Sequence, residues 1–260
     1  MKFYLGTHLP NWLRREEFRH VPLFVSRRTL ARYKKLPRAL GAWALDSGGF
    51  TELSMFGKWT VPAKEYARDV ERFRAEVGSI DFAAPQDWMC EPWITRKTGL
   101  TVEEHQRRTV DNLIELRSLK CDVIPVLQGW TVAEYHRHVE MYDRAGLDLR
   151  AERLVGVGSV CRRQGTEEGA RIIRSLAALG LLLHGFGIKS GGLRMIHRYL
   201  ATADSLAWSF TARRSKPLPE CVGKHKACAN CSKFALRWRA KLLASLRPIQ
   251  HQQLLFSEAV

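Results

Sequence analysis

The feature that most constrains the fold is a regular alternation of short apolar runs with longer helical patterns along 260 residues. Eight runs have the length and composition of strands: residues 2–6, 22–26, 43–47, 79–84, 122–128, 153–158, 181–187 and 205–209. Several are continuously apolar, which is typical of parallel strands covered by helices on both faces. The alternation therefore predicts an α/β fold with a parallel sheet.

The segments between these runs carry helix signals. Thr101 with Glu104, and Thr131 with Glu134, have the spacing of capping boxes, and Gly146 is placed to end the second of these helices. Eight strands separated by helices favour a (β/α)8 TIM-like barrel. An open doubly wound sheet is the alternative, but no G-x-G-x-x-G motif follows the first strand to support a dinucleotide-binding fold.

The C-terminal part departs from this alternation. Residues 213–231 are polar and contain Pro217 and Pro219, and residues 232–246 read as a basic amphipathic helix. We therefore predict a barrel over residues 1–212 and a small C-terminal segment, residues 213–260, packed on it.

Charge indicates the class of partner. Lys and Arg number 42 against 26 Asp and Glu, a net charge of +16. This surplus exceeds what solubility requires and favours a polyanion such as nucleic acid. The sequence has no apolar run long enough to cross a bilayer and no signal-peptide pattern, and no basic amphipathic segment stands out as a membrane anchor, so we expect a cytoplasmic protein without membrane contact.

Polar residues recur where predicted strands end, the position at which barrels carry their chemistry. Asp46, Asp87, Gln128, His184 and Asp204 would face one edge of the sheet. Carboxylates accept from ring N–H and amino groups, and an amide both donates and accepts, so the set suits the edge of a purine. Each residue alone has an ordinary structural role as an alternative, but their joint placement favours a pocket.

Three cysteines cluster beyond the last predicted strand. Cys228 and Cys231 have the spacing of a zinc knuckle, and Cys221 lies close before them. Thiols in a reducing compartment stay free, so the cluster predicts a metal site rather than disulfides. A deaminase-type catalytic zinc is disfavoured, since no H-x-E…C-x-x-C pattern is present.

Three motifs resemble those of the tRNA-guanine transglycosylase superfamily. DSGGF at 46–50 resembles its DSGG-aromatic motif, VLQG at 126–129 its VQG motif, and DSLAW at 204–208 with TAR at 211–213 the archaeal-type nucleophile motif. The resemblance runs from Asp46 to about His251 and is strongest to the DNA-guanine transglycosylases that place 7-deazaguanines in phage and bacterial DNA. Thr51 departs from the pattern, since many relatives have Gln there.

The resemblance implies roles for single residues. Asp204 would be the nucleophile that attacks C1′, and Asp46 the general acid/base. The implied base-binding residues are Asp87 and Gln128 at the base edge, Gly156 or Gly158 through the backbone, and Phe50 and His184 flanking the ring. Relatives bind structural Zn2+ through three cysteines and a distal histidine, which implies Cys221, Cys228, Cys231 and His251, with His225 as the nearer alternative.

The implied activity is that of a pentosyltransferase that exchanges guanine in DNA for a 7-deazaguanine such as preQ0, in a bacterial cell or phage-infected host. DNA is favoured over tRNA because the charge is high and no RNA-binding domain is appended. Exchange in tRNA, hydrolysis of the same bond by water, and a non-catalytic zinc-containing nucleic-acid binding protein are the alternatives. A homodimer is a further expectation.

Overall fold

The computed structural model describes residues 1–160 and 165–246. One parallel sheet of seven strands, ordered β3-β2-β1-β7-β6-β5-β4, runs through these residues. The strands are β1 Lys2–Thr7, β2 Leu23–Ser26, β3 Trp43–Asp46, β4 Val126–Leu127, β5 Val155–Val157, β6 Leu183–Gly185 and β7 Thr202–Ser205. Their order follows the chain except that β7 pairs with β1, which is the connectivity of a barrel rather than of a doubly wound sheet.

Ten α-helices fall within the described ranges: α1 Arg27–Leu30, α2 Gly49–Phe56, α3 Ala63–Glu76, α4 Pro92–Thr98, α5 Val102–Ser118, α6 Val132–Arg144, α7 Glu167–Ala177, α8 Ser190–Ile196, α9 Ala207–Arg214 and α10 Ser232–Ala244. The predicted capping box is complete at Thr131 and Glu134. At Thr101 the side chain accepts from the Glu104 amide. Both signals are local, so they were readable in the sequence. None of these helices is long and apolar enough to cross a membrane.

Two of the eight predicted strands differ in the structure. Residues 79–84 form a single isolated bridge, Leu45 to Ala83, instead of a strand. The eighth strand lies earlier than predicted, at Thr202–Ser205, and residues predicted as its second half begin helix α9. Trp208 and Ala212 are buried four residues apart on one face of this helix. The apolar run at residues 205–209 is too short to show this helical spacing, so the run predicts a strand.

The segment around the bridge joins the two edges of the sheet. The Leu45 amide donates to the Phe82 carbonyl at 3.0 Å, and the Ala84 amide donates to Leu45 at 2.9 Å. On the other side, the Ile124 amide donates to the Ala83 carbonyl at 3.1 Å. We call residues 81–84 the seam. The structure thus shows a curled parallel sheet of seven strands, with the seam in the place of the fourth strand of the predicted barrel.

Apolar side chains fill both faces of the curled sheet. Its inside holds an aromatic cluster that includes Tyr4, Phe24 and Phe82. The larger core lies between the strands and the surrounding helices. Helix α10 joins this core at the far end of β1, where the Trp238 ring lies 6.3 Å from the Phe3 ring. The C-terminal segment therefore packs on the sheet; the boundary at residue 212 stays a prediction.

Candidate active site

A cavity of about 450 Å³ opens at the carboxyl ends of the strands. Most of the predicted site residues line it: Asp46, Phe50, Asp87, Gln128, Gly158 and Asp204. Each follows from the strand geometry, because Asp46 ends β3, Asp204 lies in β7, and Gln128 comes directly after β4. Parallel strands end at one edge of a sheet, so residues far apart in the chain converge there.

Asp204 is held by the backbone. It is 6% exposed, and its Oδ1 accepts a hydrogen bond of 2.8 Å from the Gly187 amide. The Nε2 of His184 lies 3.4 Å from the same oxygen without the geometry of a hydrogen bond. These contacts fix the direction of the carboxylate and leave its second oxygen available to the cavity.

Asp46 lies across the cavity and is shaped by the turn after β3. Its Oδ2 accepts from the Gly48 amide at 3.1 Å, and Gly48 adopts φ of +86°, a conformation that favours glycine. Burial, and next the negative charge of Asp204, raise the pKa of Asp46 to about 6; hydrogen bonds from Ser26 and Gly48 act in the opposite direction. A carboxyl with this pKa exchanges protons near neutral pH.

Asp87 and Gln128 form a pair on the wall between these two carboxyls. The Gln128 amide nitrogen donates to Asp87 Oδ2, and the Gln128 side chain is fully buried. Burial raises the pKa of Asp87 to about 7, although the hydrogen bond from Gln128 lowers it; the charges of Asp46 and Glu91 raise it further. The pair presents an amide and a carboxyl side by side, as the edge of a purine requires.

Two neighbouring residues were missed in the sequence. Ser159 and Glu91 also line the cavity, 6% and 1% exposed. Ser159 Oγ lies 2.6 Å from Gln128 Oε1 and 2.9 Å from Glu91 Oε2, and it accepts from the Cys90 amide at 2.7 Å. A signal was present: Glu91 is a carboxylate in an apolar stretch four residues after Asp87. Lys189 and Phe186 are further cavity residues that sequence reasoning did not name.

Two predicted base-binding residues lie outside the cavity wall. His184 is fully buried inside the curled sheet, where Nδ1 bonds Thr202 Oγ1 at 2.7 Å and the ring lies 4.5 Å from Phe186. Gly156 makes room for the Phe186 ring, since a Cβ there would lie 2.5 Å from its Cε2. Both residues therefore pack against Phe186, which does line the cavity. They lie behind that ring and do not line the cavity themselves.

The two remaining predictions lie at the cavity. A Cβ on Gly158 would lie 2.1 Å from the Gln128 amide nitrogen, so only glycine leaves room for that side chain. Phe50 is 47% exposed at the mouth and meets the Trp93 ring edge-on at 6.0 Å.

The C-terminal segment brings together three cysteines and a histidine: Cys221, His225, Cys228 and Cys231, whose ligand atoms all lie within 4.8 Å of one another. We call this set the Cys3His group. Its sulfur and imidazole donors fit tetrahedral zinc, and four protein ligands leave no position open for water. His251 lies outside the described residues. Because His225 completes four donors within the group, the structure favours His225, the alternative, as the fourth ligand.

The fold and the cavity define an α/β protein with a curled parallel sheet and a carboxylate-lined pocket at its strand ends. Over residues 1–259 the chain matches the family DpdA, described as DeoxyPurine in DNA protein A, and it belongs to that family. DpdA proteins are tRNA-guanine transglycosylase-like proteins that modify DNA. Comparison with curated proteins gives no match. The family is consistent with the predicted superfamily and with DNA as partner; preQ0 and a homodimer stay predictions.

Proposed function

We propose that the protein is a DNA-guanine transglycosylase that replaces guanine in DNA by a 7-deazaguanine base of the preQ0 type. The observation that carries the proposal is the shared cavity of Asp46 and Asp204, in which the charge of one raises the pKa of the other. Two carboxyls whose environments separate their proton affinities can divide the work of nucleophile and acid.

In the first step the target nucleotide is turned out of the helix or presented as a single strand. An Oδ of Asp204 attacks C1′ of the sugar, and the C1′–N9 bond breaks through an oxocarbenium-like transition state. Asp46 gives its proton to the departing guanine. The products are neutral guanine, a covalent aspartyl–sugar ester and an ionised Asp46.

In the second step the incoming base replaces guanine in the cavity. Its N9–H proton passes to Asp46, N9 attacks C1′, and the ester bond to Asp204 breaks. Two displacements retain the configuration of the sugar and restore both carboxyls to their starting state. Water is excluded as acceptor to the degree that the base fills the cavity.

In this proposal Asp87 and Gln128 recognise the base. A guanine-type base has an oxygen at C6 and donors at N1 and the 2-amino group, which match the Gln128 amide N–H and the Asp87 carboxylate. Lys189 contributes positive charge at the same cavity. The Cys3His group would hold Zn2+, which supplies structural stability to the C-terminal segment and takes no part in either step.

The decisive experiment measures incorporation of labelled base into DNA. Wild-type protein is expected to exchange guanine for labelled preQ0 and to form a protein–DNA adduct that survives denaturation. Asp204→Asn is expected to lower exchange by roughly 10³-fold or more and to form no adduct, because the amide is a far weaker nucleophile. Asp143→Asn, on the exposed face of α6, removes the same charge outside the cavity and serves as control.

Other results identify the alternatives. Release of guanine without uptake of label would point to a hydrolase. Exchange into tRNA in preference to DNA would move the substrate to RNA. Wild-type binding of DNA with neither release nor uptake would refute catalysis and leave a binding protein.

A further inference from the structure

Helix α9 leads from the cavity to the outer surface of the protein. It begins at Ala207, shortly after Asp204 in β7, and both Leu206 and Ala207 line the cavity. Leu206 is 43% exposed, and Phe210, one turn further along the same face of the helix, is 57% exposed. Four residues of helix span about 6 Å, less than two nucleotides of a stacked DNA strand at about 3.4 Å each. Phe210 is therefore within reach of the strand that would carry a nucleotide into the cavity.

Arg214 gives the Phe210 ring a positively charged neighbour. The guanidinium carbon of Arg214 lies 3.5 Å from the centroid of the Phe210 ring, which is a cation–π contact. Phe210 is 57% exposed with the guanidinium in place, so part of its ring is accessible to a further planar group. Single exposed apolar residues are common on protein surfaces. What distinguishes Phe210 is its place beside the cavity and its contact with an arginine.

The surface around this pair is positively charged. Arg213, Arg214 and Lys216 are exposed, and residues 206–219 contain no Asp or Glu. On a chain with a net charge of +16, this stretch attracts phosphates. An apolar protein partner would have to desolvate these charges without pairing them, whereas a polyanion neutralises them. The charge therefore favours a nucleic acid as the partner of this face.

The opposite face of α9 is fixed to the rest of the protein. The Trp208 Nε1–H donates a hydrogen bond of 2.8 Å to the Gly6 carbonyl in β1. Ala212 is buried in one apolar cluster with two cysteines of the Cys3His group. The exposed face is thus held in position before a ligand binds, which lowers the entropic cost of binding.

Single-stranded DNA is the polyanion that can use both the ring and the charges. In a duplex, the faces of the bases are covered by their neighbours, so a side chain can stack on them only by distorting the helix. In a single strand, every base has an accessible π-face. Proteins bind such strands by combining aromatic stacking with cationic contacts to the backbone. Phe210 and Arg214 supply one of each.

We propose that Phe210, with Arg214 packed on it, stacks a base next to the target nucleotide, so that the protein binds a single-stranded stretch of DNA. Arg213 and Lys216 bind the phosphates of that stretch. The inference rests on the proposed function, which places the target nucleotide in the cavity, and it adds the contact that holds the flanking nucleotide.

The test measures equilibrium binding to a labelled single-stranded oligonucleotide with one guanine, and to its duplex. Every protein tested carries Asp204→Asn, so that no covalent adduct forms. Phe210→Leu keeps an apolar side chain without a ring and is expected to bind the single strand about tenfold more weakly, the loss of one base–aromatic stack, with little change for the duplex. Phe210→Trp is expected to retain single-strand affinity. Ile114→Ala, which shortens an exposed apolar side chain on α5, is the control.

A second measurement locates the contact. An abasic residue directly 5′ or 3′ of the guanine removes one flanking base. At one of these positions it is expected to weaken binding about tenfold when Phe210 is present and much less in Phe210→Leu, because both changes remove the same contact. The inference is overturned if Phe210→Leu binds the single strand with full affinity, if it loses duplex affinity equally, or if neither abasic position shows this coupling.

The outcome for the proposed function is separate. Wild-type protein that exchanges guanine, although Phe210→Leu binds single strands with full affinity, would contradict only the inference about α9. Coupling between Phe210 and a flanking base, in a wild-type protein that neither releases nor takes up a base, would instead refute the proposed function.

Discussion

The cavity and the Cys3His group differ in how their polar groups affect the stability of the fold. The cavity gathers its carboxyls from residue 46 to residue 204 and brings like charges together, so that burial and mutual repulsion raise the pKa values of Asp46 and Asp87. The Cys3His group gathers its donors from residues 221–231 and suits a cation that would bind them together. The first site uses stability that the rest of the fold supplies, whereas the second, with its metal, supplies stability to a segment with little core of its own.

The difference teaches that the effect of a buried charge on stability depends on the hydrogen bonds or ions that compensate it. In the cavity, the hydrogen bonds to Asp46 only partly offset its burial. Substitutions in the cavity should therefore lower the activity and leave the free energy of unfolding the same or higher. Substitutions in the Cys3His group should instead lower the free energy of unfolding.

Among the variants that compare the two sites, the largest effect is expected from Asp46→Asn. The amide cannot transfer a proton to the leaving base, so exchange should fall by about 10²- to 10⁴-fold, while the thermal midpoint stays the same or rises. Labelled-base incorporation and calorimetry on the same preparation measure both. A variant with full exchange would remove Asp46 from the acid/base role.

Metal removal is expected to act on stability. Cys228→Ala, or chelation of the wild-type protein, should destabilise the C-terminal segment by several kcal/mol, since binding free energy of a structural metal is folding free energy. Limited proteolysis within residues 213–231 and metal analysis report the change. Cys121→Ala, a cysteine outside the group, is the matched control. Equal zinc content in Cys228→Ala and wild type would contradict the assignment.

A smaller effect is expected in the pH dependence of stability. Asp46 has a pKa of about 6 in the fold against 3.8 when free, so the native state holds its proton more tightly. The free energy of unfolding contributed by this group should fall as pH rises from about 4 to 6, and stay constant above. Asp46→Asn lacks this slope.

Relative to wild type, Asp46→Asn should therefore be more stable at pH 8 than at pH 4. Because Asp46 keeps partial contact with solvent, we expect about 1 kcal/mol. Urea denaturation at the two pH values measures it. A difference of opposite sign would mean that the carboxylate is stabilised, rather than penalised, in the cavity.

The smallest effect is expected from the lysines beside the Cys3His group. Lys224 and Lys226 are exposed there, and each phosphate contact should contribute a few-fold to DNA affinity and about one unit to its salt dependence. Lys224→Ala and Lys226→Ala should lower affinity alike for all sequences, in contrast to Lys120→Ala at the end of α5. Titrations at several salt concentrations measure this. Unchanged salt slopes would exclude this surface from the DNA interface.

The same contrast explains what could be read from the sequence. The Cys3His cysteines and the capping box at Thr131 depend on neighbours in the chain, and their spacing sufficed. The convergence of Asp46, Asp87, Gln128 and Asp204 required only the rule that parallel strands end at one edge.

What could not be read depends on packing in three dimensions. His184 lies within β6, and its side chain points inward because the interior of the curled sheet is lined by aromatic rings. Ser159 contacts Gln128 and Glu91 only because the fold brings three separate segments together. The seam was predicted as a strand but is an isolated bridge, because few backbone hydrogen bonds join it to its neighbours. Composition does not encode the number of such bonds.

The residues around the cavity are held unequally by the backbone, and the seam is the weakly bonded part. Asp46 and Asp204 belong to strands of one continuous seven-stranded ladder, and Gln128 directly follows β4 at an edge of that same ladder, while Asp87 follows the seam. Local opening at these few bonds would free the segment before Asp87 without breaking any bond of the ladder that positions Asp46, Asp204 and Gln128. Amide hydrogens of Ala84 and Ile124 should then exchange faster than those of β1, which would make the seam the point at which the closed circle of the sheet opens first.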